Sequence, residues 1–299
     1  MTSIPIDLKN KALETPNINA AVVCPNEESV LLAVIEAKEI NLINPILIGK
    51  KSLIEKTANQ VNLEINSYNI IEINNEQEAA TVACKLAHED KVKIIIKGNL
   101  HTDILMRYYL KKEFNLIVGR RLSHIWHMTA QKLNKPLFIT DGALNVLPRV
   151  EIKLQILKNA VDFCNKLNIF KPKVAILSGT EDPIDSMPSS IEAQKVMELA
   201  NKENVDALVH GPLAFDNAIS EEAAKIKNIK NEVAGKADIL LVPNLETGNS
   251  LSKIMVYFMD ACAAGIVVGG KVPVVVPSRA DSKISKLSSI MAAVVAAQN

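Results

Sequence analysis

The sequence lacks an excess of charge of either sign, and it lacks long apolar runs. Its 34 lysines and arginines nearly balance 33 aspartates and glutamates, which leaves a formal net charge of +1 over 299 residues. Without a basic excess or a clustered basic stripe, nucleic-acid binding has no electrostatic support. No apolar run reaches the roughly 18 residues of a membrane span, and the first residues lack the basic start and apolar core of a secretory signal. These absences predict a cytoplasmic globular protein without nucleic-acid or membrane partners.

Cysteines and glycine-rich motifs are also scarce. The four cysteines, Cys24, Cys84, Cys164 and Cys262, are widely separated, which predicts reduced core thiols in a cytoplasm. No Gly-x-Gly-x-x-Gly or Gly-x-Ser-x-Gly follows a predicted strand, so neither a Rossmann dinucleotide site nor an α/β-hydrolase is supported. The loop at residues 49–52 lacks the upstream glycine of a P-loop, because position 44 is Asn44. A nucleoside triphosphatase is therefore rejected.

Short apolar runs alternate with amphipathic segments almost throughout the chain. Runs such as residues 45–49 and 92–96 have the length of buried strands, and helical spacing lies between them. This alternation predicts parallel strands joined by helical crossovers. Among the later helices, two are predicted over residues 216–233 and 247–264. A turn-rich segment over residues 141–148 predicts a domain boundary near residue 148.

The last strand-to-helix junction is the first candidate for a binding site. Val274, Val275 and Val276 are typical of a strand buried on both faces. Ser278 and Arg279 follow, and Asp281 or Ser282 is predicted to cap the next helix. A hydroxyl, a guanidinium and free backbone N–H groups at one junction suit an anionic ligand. Taken alone, the segment fits an ordinary capped turn equally well.

A second candidate follows the apolar strand at residues 239–242. Glu246, Asn249 and Lys253 share one face of the predicted helix, at the strand edge where open α/β sheets bind ligands. The opposite face is predicted to carry Leu251, Met255, Phe258 and Cys262. A solvated face explains the charges, but glycine in a first helical turn costs stability. The Gly248-Asn249 pair therefore favours a functional role.

Three other segments carry polar residues of interest. Ser178-Gly179-Thr180 and His210-Gly211-Pro212 are predicted to lie at strand ends. His124 and His127 are three residues apart, which on a helix would place both on one face as metal ligands. Their surroundings look extended and no third ligand is evident, so packed or hydrogen-bonded histidines are the favoured interpretation.

Together these segments resemble the phosphotransacetylase and phosphate butyryltransferase family of phosphate acyltransferases. The resemblance is carried by His101-Thr102-Asp103 with Arg107, by residues 140–145, 211–219 and 237–253, and by Pro277-Ser278-Arg279-Ala280-Asp281-Ser282. It extends over nearly the whole chain after about Ile18 and is densest after Val205. The closing Ser-Arg-Ala-Asp-Ser is closer to the butyryl branch than to the acetyl branch.

The resemblance implies two α/β domains, each with α/β/α layers and a mostly parallel sheet, an architecture shared with isocitrate and isopropylmalate dehydrogenases. The first domain is expected over residues 1–148 and 273–299 and the second over 149–272, with the active-site cleft between them. The implied reaction converts a short-chain acyl-CoA and phosphate into an acyl phosphate and CoA, by direct thiolate attack in a ternary complex. The resemblance also implies a homodimer, no metal and no tightly bound cofactor, with CoA, acyl-CoA and phosphate as the small-molecule substrates.

Three catalytic residues are predicted at the last junction: the resemblance implies Ser278 and Arg279, and Asp281 is our hypothesis for the base. Arg279 would bind phosphate, Ser278 would hydrogen-bond the acyl carbonyl oxygen or phosphate, and Asp281 would deprotonate the CoA thiol. The substrate-binding residues that it implies are Arg107, Thr102, Asp141, Asn145, Ser178, His210, Gly211, Asn244, Glu246, Asn249 and Lys253.

The chain departs from the family pattern at three points. The catalytic carboxylate of the acetyltransferases falls on Ser285, and we hypothesise that Asp281 takes its role. His210 stands where the family often has an aspartate. A second arginine that some members supply has no clear counterpart, for which Arg120 or Arg121 is a candidate.

Three alternatives to the transferase stay open. One is a non-catalytic relative that binds CoA or another metabolite, for which the Ser285 and His210 departures are the only indications. Another is a phosphate acyltransferase of lipid synthesis with the same fold. The third, a metal-dependent decarboxylating dehydrogenase, requires clustered aspartate ligands and a dependence on NAD that the sequence does not show.

Overall fold

The computed structural model describes residues 2–15 and 17–298 and divides them into two compact units. Unit 1 contains the chain up to Arg120 and again from Ala264 onward, and unit 2 is Arg121–Ala263. In each unit mostly parallel strands are accompanied by helices, which confirms the predicted α/β class. Within the described ranges, no helix combines the length and the apolar character needed to cross a membrane.

The helices and strands alternate along the chain, as the sequence predicts. The amino-terminal part contains α1 (Ile6–Leu13), β1 (Ile18–Val23), α2 (Glu28–Glu39), β2 (Ile43–Gly49), α3 (Lys51–Gln60), β3 (Asn69–Glu72), α4 (Glu76–His88), β4 (Ile94–Lys97), α5 (Thr102–Tyr109) and a 3-10 helix (Lys112–Phe114). The middle part contains β5 (Ser123–Thr129), β6 (Leu137–Thr140), α6 (Val150–Lys166), β7 (Lys173–Leu177), α7 (Pro188–Lys202), β8 (Leu208–Leu213), α8 (Phe215–Ile219), α9 (Glu221–Ile226), β9 (Ile239–Leu241) and α10 (Leu245–Met259). The chain closes with β10 (Cys262–Val268), β11 (Val274–Val275) and α11 (Lys283–Ala296).

The strands of unit 1 follow the order β3-β2-β1-β4-β11-β10. All neighbours are parallel except β10, which runs antiparallel to β11. From β1 the chain moves outward to β2 and β3, and then returns to place β4 on the other side of β1. The strand order therefore reverses between β1 and β4, and the carboxyl ends of such strands form the usual ligand crevice of an open α/β sheet.

The strands of unit 2 follow the order β5-β6-β9-β7-β8. Only β5 is antiparallel to its neighbour; β6, β9, β7 and β8 are parallel. Because β6, β9 and β7 run parallel to one another, the loops after these three strands leave the same edge of the sheet. The core beneath is apolar and includes Ile139, Ala175, Leu240 and Met255.

The units begin and end at other residues than the predicted domains. The structure divides the chain after Arg120 and after Ala263, whereas the sequence placed boundaries after residues 148 and 272. The segment between 121 and 148 contains β5 and β6, and β6 pairs with β9 of unit 2. At the other end, α11 packs against α1 and α2 of unit 1.

Two predicted helices are wrong in extent. The helix predicted over residues 216–233 is two short helices, because Ser220 has an extended backbone and its hydroxyl caps α9 by accepting from the Ala223 N–H at 3.2 Å. The helix predicted over residues 247–264 begins earlier, at Leu245, and ends at Met259, because Asp260 adopts a left-handed backbone with φ of 50°. Cys262 consequently lies in strand β10 and not on the helix.

Candidate functional site

The turn after β11 presents Ser278 and Arg279 to solvent. Asp281 fixes this turn, since its Oδ2 accepts from the Ser278 N–H at 2.8 Å and its own N–H donates to the Ser278 carbonyl at 3.1 Å. Ser282, and not Asp281, caps α11 by accepting from the Ser285 N–H at 3.1 Å. The structure therefore exposes the predicted hydroxyl and guanidinium side by side on a turn that Asp281 holds in shape.

The loop after β4 leads into α5, which carries two further predicted residues. Thr102 is the first residue of α5 and is half-buried. Arg107 lies in the last turn of the same helix, is exposed, and forms an ion pair with Asp103 at 3.4 Å. An ion pair exposed to solvent contributes little stability, so the Arg107 guanidinium remains available for an anion.

Unit 1 also contains buried charges that the sequence analysis missed. Lys286 of α11 is only 2% exposed, and its Nζ lies 2.5 Å from Glu27 Oε1 and 2.5 Å from Ser29 Oγ. Lys97, the last residue of β4, is 6% exposed. The sequence could have indicated both buried lysines: Lys97 directly follows three apolar isoleucines, and Lys286 lies within the apolar pattern of the last helix. Lysine is almost never fully buried unless it has a partner.

In unit 2 the carboxylate of Asp141 organises the loop after β6. It accepts from the N–H groups of His124, Ala143 and Leu144 at 3.0, 3.0 and 2.9 Å, and from Asn145 Nδ2 at 2.6 Å. Burial raises the pKa of Asp141 above its ordinary value, although each of these hydrogen bonds acts in the opposite direction. Four donors around one carboxylate hold the loop in a single shape.

Asn145 connects this loop to Arg121. Its Oδ1 accepts from Arg121 Nε at 2.9 Å, while its Nδ2 also donates to the Leu122 carbonyl at 2.9 Å. Arg121 is exposed, and its backbone is held by Gln155 and Asn159. Of the two arginines considered from the sequence, Arg121 therefore has a side chain oriented by a predicted site residue.

The loop after β6 lies against the first turn of α10 through two glycines. A Cβ on Gly248 would lie 2.8 Å from Gly142 Cα and 3.1 Å from the Asp141 carbonyl oxygen. Asn249 Nδ2 donates to the Gly142 carbonyl at 3.3 Å. The glycine that favoured a functional role from the sequence thus has a packing reason, and it brings Asn249 to the Asp141 loop.

The remaining predicted residues of α10 have different surroundings. Asn244 is the helix cap, because its Oδ1 accepts from the Thr247 N–H at 2.9 Å and from Thr247 Oγ1 at 2.7 Å. Glu246 is exposed and Lys253 is half-buried. Phe258, predicted on the side of the helix opposite Glu246, Asn249 and Lys253, is 84% exposed.

Ser178 lies at the carboxyl end of β7, and His210 and Gly211 lie within β8. Ser178 Oγ is 2.9 Å from Ser189 Oγ at the start of α7. The prediction that His210-Gly211 ends a strand is wrong, because β8 continues to Leu213 across an irregularity in its pairing with β7. Partial burial lowers the pKa of His210.

The two histidines of β5 are packed in the interior, as favoured from the sequence. Residues three apart on a strand point to opposite faces, and the ring of His124 lies 4.3 Å from that of Trp126, whereas the ring of His127 lies 5.2 Å from that of Phe138. Burial lowers the pKa of His124 to about 3. Within the described part of the chain, no three acidic, histidine or cysteine side chains are grouped so that they could hold a metal ion.

Each unit thus assembles part of the predicted set. Unit 1 brings Ser278, Arg279 and Asp281 into one turn. Unit 2 brings Asp141, Asn145 and Asn249 into one network.

Comparisons with known proteins identify the family. The family model described as "Phosphate acetyl/butaryl transferase" matches residues 76–295. A phosphate acetyltransferase of Rickettsia felis is 41% identical over 278 residues, covering 92% of this chain and 80% of that protein. A phosphate butyryltransferase of Clostridium beijerinckii is 36% identical over 295 residues, covering 98% of both.

A solved structure agrees with this assignment. A branched-chain phosphotransacylase from Enterococcus faecalis V583 superposes with a TM-score of 0.84 at 31% identity, covering 94% of this chain and 99% of that one. The resemblance carried by the sequence motifs is confirmed. The chain belongs to the phosphate acetyl/butaryl transferase family.

Proposed function

We propose that the protein reversibly transfers a short-chain acyl group between CoA and phosphate, so that acyl-CoA and phosphate give acyl phosphate and CoA. The observation that carries this proposal is the exposed Ser278-Arg279 pair, on its Asp281-held turn, in a chain whose relatives are named phosphate acetyltransferase and phosphate butyryltransferase. A guanidinium fork matches the oxygens of phosphate, and a hydroxyl can donate to an acyl oxygen.

In the direction of CoA acylation, the CoA thiolate attacks the carbonyl carbon of the acyl phosphate. The carbon–sulfur bond forms, the carbon–oxygen bond to phosphate breaks, and phosphate leaves with the electron pair. Arg279 and Arg107 bind the phosphate oxygens, and Ser278 Oγ donates to the carbonyl oxygen as negative charge develops there. Because both arginines are exposed on their elements, neither needs a rearrangement of the core to reach an anion.

Asp281 is the proposed acceptor of the thiol proton. Its carboxylate already accepts the Ser278 N–H at 2.8 Å, so the same group would hold the hydroxyl-bearing turn and act as base. Ser285, at the position of the acetyltransferase carboxylate, cannot replace it, since it is a buried serine whose N–H bonds to Ser282. A positioned base typically contributes about 10²–10⁴-fold to a rate.

In unit 2, Arg121 and Asn249 are proposed to contact the anionic and amide groups of CoA. Arg121 is supported by the Asn145 hydrogen bond that orients its guanidinium, and Asn249 by its contact with the Gly142 carbonyl. Thr102, Ser178, His210, Gly211, Asn244, Glu246 and Lys253 complete the proposed substrate-binding set.

A homodimer in the cytoplasm, with no tightly bound cofactor, is also proposed. The dimer is supported by three large apolar side chains that α10 exposes, Ile254, Tyr257 and Phe258. The cytoplasm is supported by the burial of all four cysteines, as expected of reduced core thiols.

The decisive experiment measures the release of free CoA from acetyl-CoA, propionyl-CoA and butyryl-CoA with a thiol reagent, in the presence and absence of phosphate or arsenate. Phosphate-dependent release from at least one of them is expected. Binding of an acyl-CoA without turnover would instead support a non-catalytic relative, and the absence of both binding and turnover would contradict the proposal. The ratio of kcat/KM among the three acyl-CoAs gives the chain-length preference.

A further inference from the structure

Lys97 lies at the edge of the unit 1 sheet where open α/β sheets bind ligands. It is the last residue of β4, whose neighbours in the sheet are β1 and β11. The strand order reverses between β1 and β4, and the turn that carries Ser278 and Arg279 follows β11. Carboxyl ends of parallel strands lie at one edge, so Lys97 ends at the same edge as that turn.

The ammonium group of Lys97 holds the loop that leads to Thr102. Its Nζ donates to the carbonyl oxygens of Gly98 at 3.1 Å and Leu100 at 2.9 Å. The loop is tightly seated, because a Cβ on Gly98 would lie 2.2 Å from the Cys24 carbonyl oxygen. The path from the sheet edge into α5 is therefore fixed by Lys97 on one side and by the end of β1 on the other.

Lys97 belongs to a group of five charged side chains whose net charge, with its own included, is +1. Burial lowers its pKa; among its charged neighbours, Glu27 and Asp281 raise it, and Arg279 and Lys286 lower it. Three cations, counting Lys97 itself, thus face two carboxylates. Glu27 is bonded to Lys286 at 2.5 Å, whereas the Lys97 ammonium donates to two backbone carbonyl oxygens.

A neutral donor could hold the same two carbonyls without the cost of a buried charge. The ammonium charge at this position, 6% exposed and in a group of charges whose sum is +1, therefore indicates an anionic ligand. We propose that Lys97 is a positioning residue for inorganic phosphate: its ammonium fixes the loop into α5, and its charge favours a phosphate dianion beside Arg279. This inference rests on the proposed acyl transfer to phosphate.

The test compares three substitutions at one position in the full-length protein. Lys97→Met removes charge and donors, Lys97→Gln keeps donors without charge, and Lys97→Arg keeps both. Lys153→Met is the matched control, because Lys153 is equally buried, at 2% exposure, but lies in unit 2 and pairs with Glu192 at 2.5 Å. KM for inorganic phosphate and KM for butyryl-CoA are measured separately at constant ionic strength, with thermal melting of each variant.

If the charge positions phosphate, Lys97→Met and Lys97→Gln both raise KM for phosphate at least about 10-fold, the effect expected of a charge-assisted contact. KM for butyryl-CoA stays within about 2-fold, Lys97→Arg recovers most of the phosphate affinity, and Lys153→Met changes neither KM. Where Lys97→Met does not fold, the Gln and Arg variants decide alone.

Two results would overturn the inference while leaving the transfer intact. One is a Gln variant with the phosphate KM of the unmodified protein, which would make Lys97 a structural donor. The other is a rise confined to KM for butyryl-CoA, which would place a CoA phosphate there. If the unmodified protein releases no CoA in a phosphate-dependent way, the proposed function fails, and this inference fails with it.

Discussion

Replacing Gly248 with alanine is expected to destabilise the protein, although helix propensity predicts the opposite. In an exposed helix interior, alanine is more favourable than glycine by about 1 kcal/mol. At position 248 the new Cβ would lie 2.8 Å from Gly142 Cα, 3.0 Å from Val242 Cγ2 and 3.1 Å from the Asp141 carbonyl oxygen. Two of these three atoms belong to the backbone, so a rotamer change cannot relieve the contact.

The steric contact decides whether Gly248→Ala raises or lowers the free energy of unfolding. Overpacking of this kind costs about 1–3 kcal/mol, and a contact of 2.8 Å with backbone belongs in the upper part of that range. Subtracting a propensity gain of about 1 kcal/mol leaves a net destabilisation of about 1–2 kcal/mol. At about 2–4 °C per kcal/mol, Gly248→Ala should lower Tm by about 2–8 °C.

The assay is thermal and urea unfolding of Gly248→Ala beside Ser250→Ala. Ser250 is exposed in the same helix, so its substitution reports propensity without a steric term and should be neutral or slightly stabilising. Because a chain of two units need not unfold in one two-state transition, the midpoint of every resolved transition is compared between the two variants. A Gly248→Ala protein that is as stable as Ser250→Ala, or more stable, would refute the contact between α10 and the Asp141 loop.

Two further substitutions test the charges of unit 1. Glu27→Gln leaves the ammonium of Lys286 without its carboxylate and should cost about 3 kcal/mol at neutral pH, near the lower limit for a buried pair because the Glu27 side chain is 24% exposed. Burial alone would raise the pKa of Glu27, but hydrogen bonds from Lys286 and Ser29 outweigh burial and leave the pKa lowered. The pair therefore stabilises the protein fully above the ordinary carboxyl pKa, and this stabilisation is lost as pH falls through the lowered pKa of Glu27. Urea unfolding at pH 7 and at acid pH gives the free energy of unfolding of Glu27→Gln and of the unmodified protein. The difference between the two proteins should be smaller at acid pH, and an equal difference at both pH values would contradict the ion pair. Asp281→Asn keeps an oxygen that can accept the Ser278 N–H but removes the base, so kcat should fall by about 10²-fold or more with KM for phosphate nearly unchanged, and full activity at saturating substrate would exclude Asp281 as the base.

The sequence was sufficient for the local elements and for the family. Apolar runs and helical spacing are local properties, and for this reason the predicted strands at residues 45–49 and 92–96 coincide in large part with β2 and β4. Motif order alone identified the family that the comparisons confirm. The catalytic and substrate-binding roles of individual residues stay predictions.

Local patterns did not determine where some elements end or which residues the units contain. The helix expected to continue to residue 264 ends at Met259, and Cys262, Ala263 and Ala264 instead begin strand β10. Likewise β5 and β6 belong to unit 2 because β6 pairs with β9, about a hundred residues further along the chain. Strand pairing between distant segments leaves no periodic signal in either of them.

The sequence by itself located the Ser278-Arg279 junction as a candidate site, because it shows a hydroxyl and a guanidinium between a valine strand and a capped helix. What only the tertiary structure decided is the charge around it. Glu27 and Lys286 are 259 residues apart and meet at 2.5 Å, and Lys97 becomes buried only when β4 is placed between β1 and β11. The physical reason is that desolvation depends on what covers a side chain, and that is set by packing between segments that the chain separates widely.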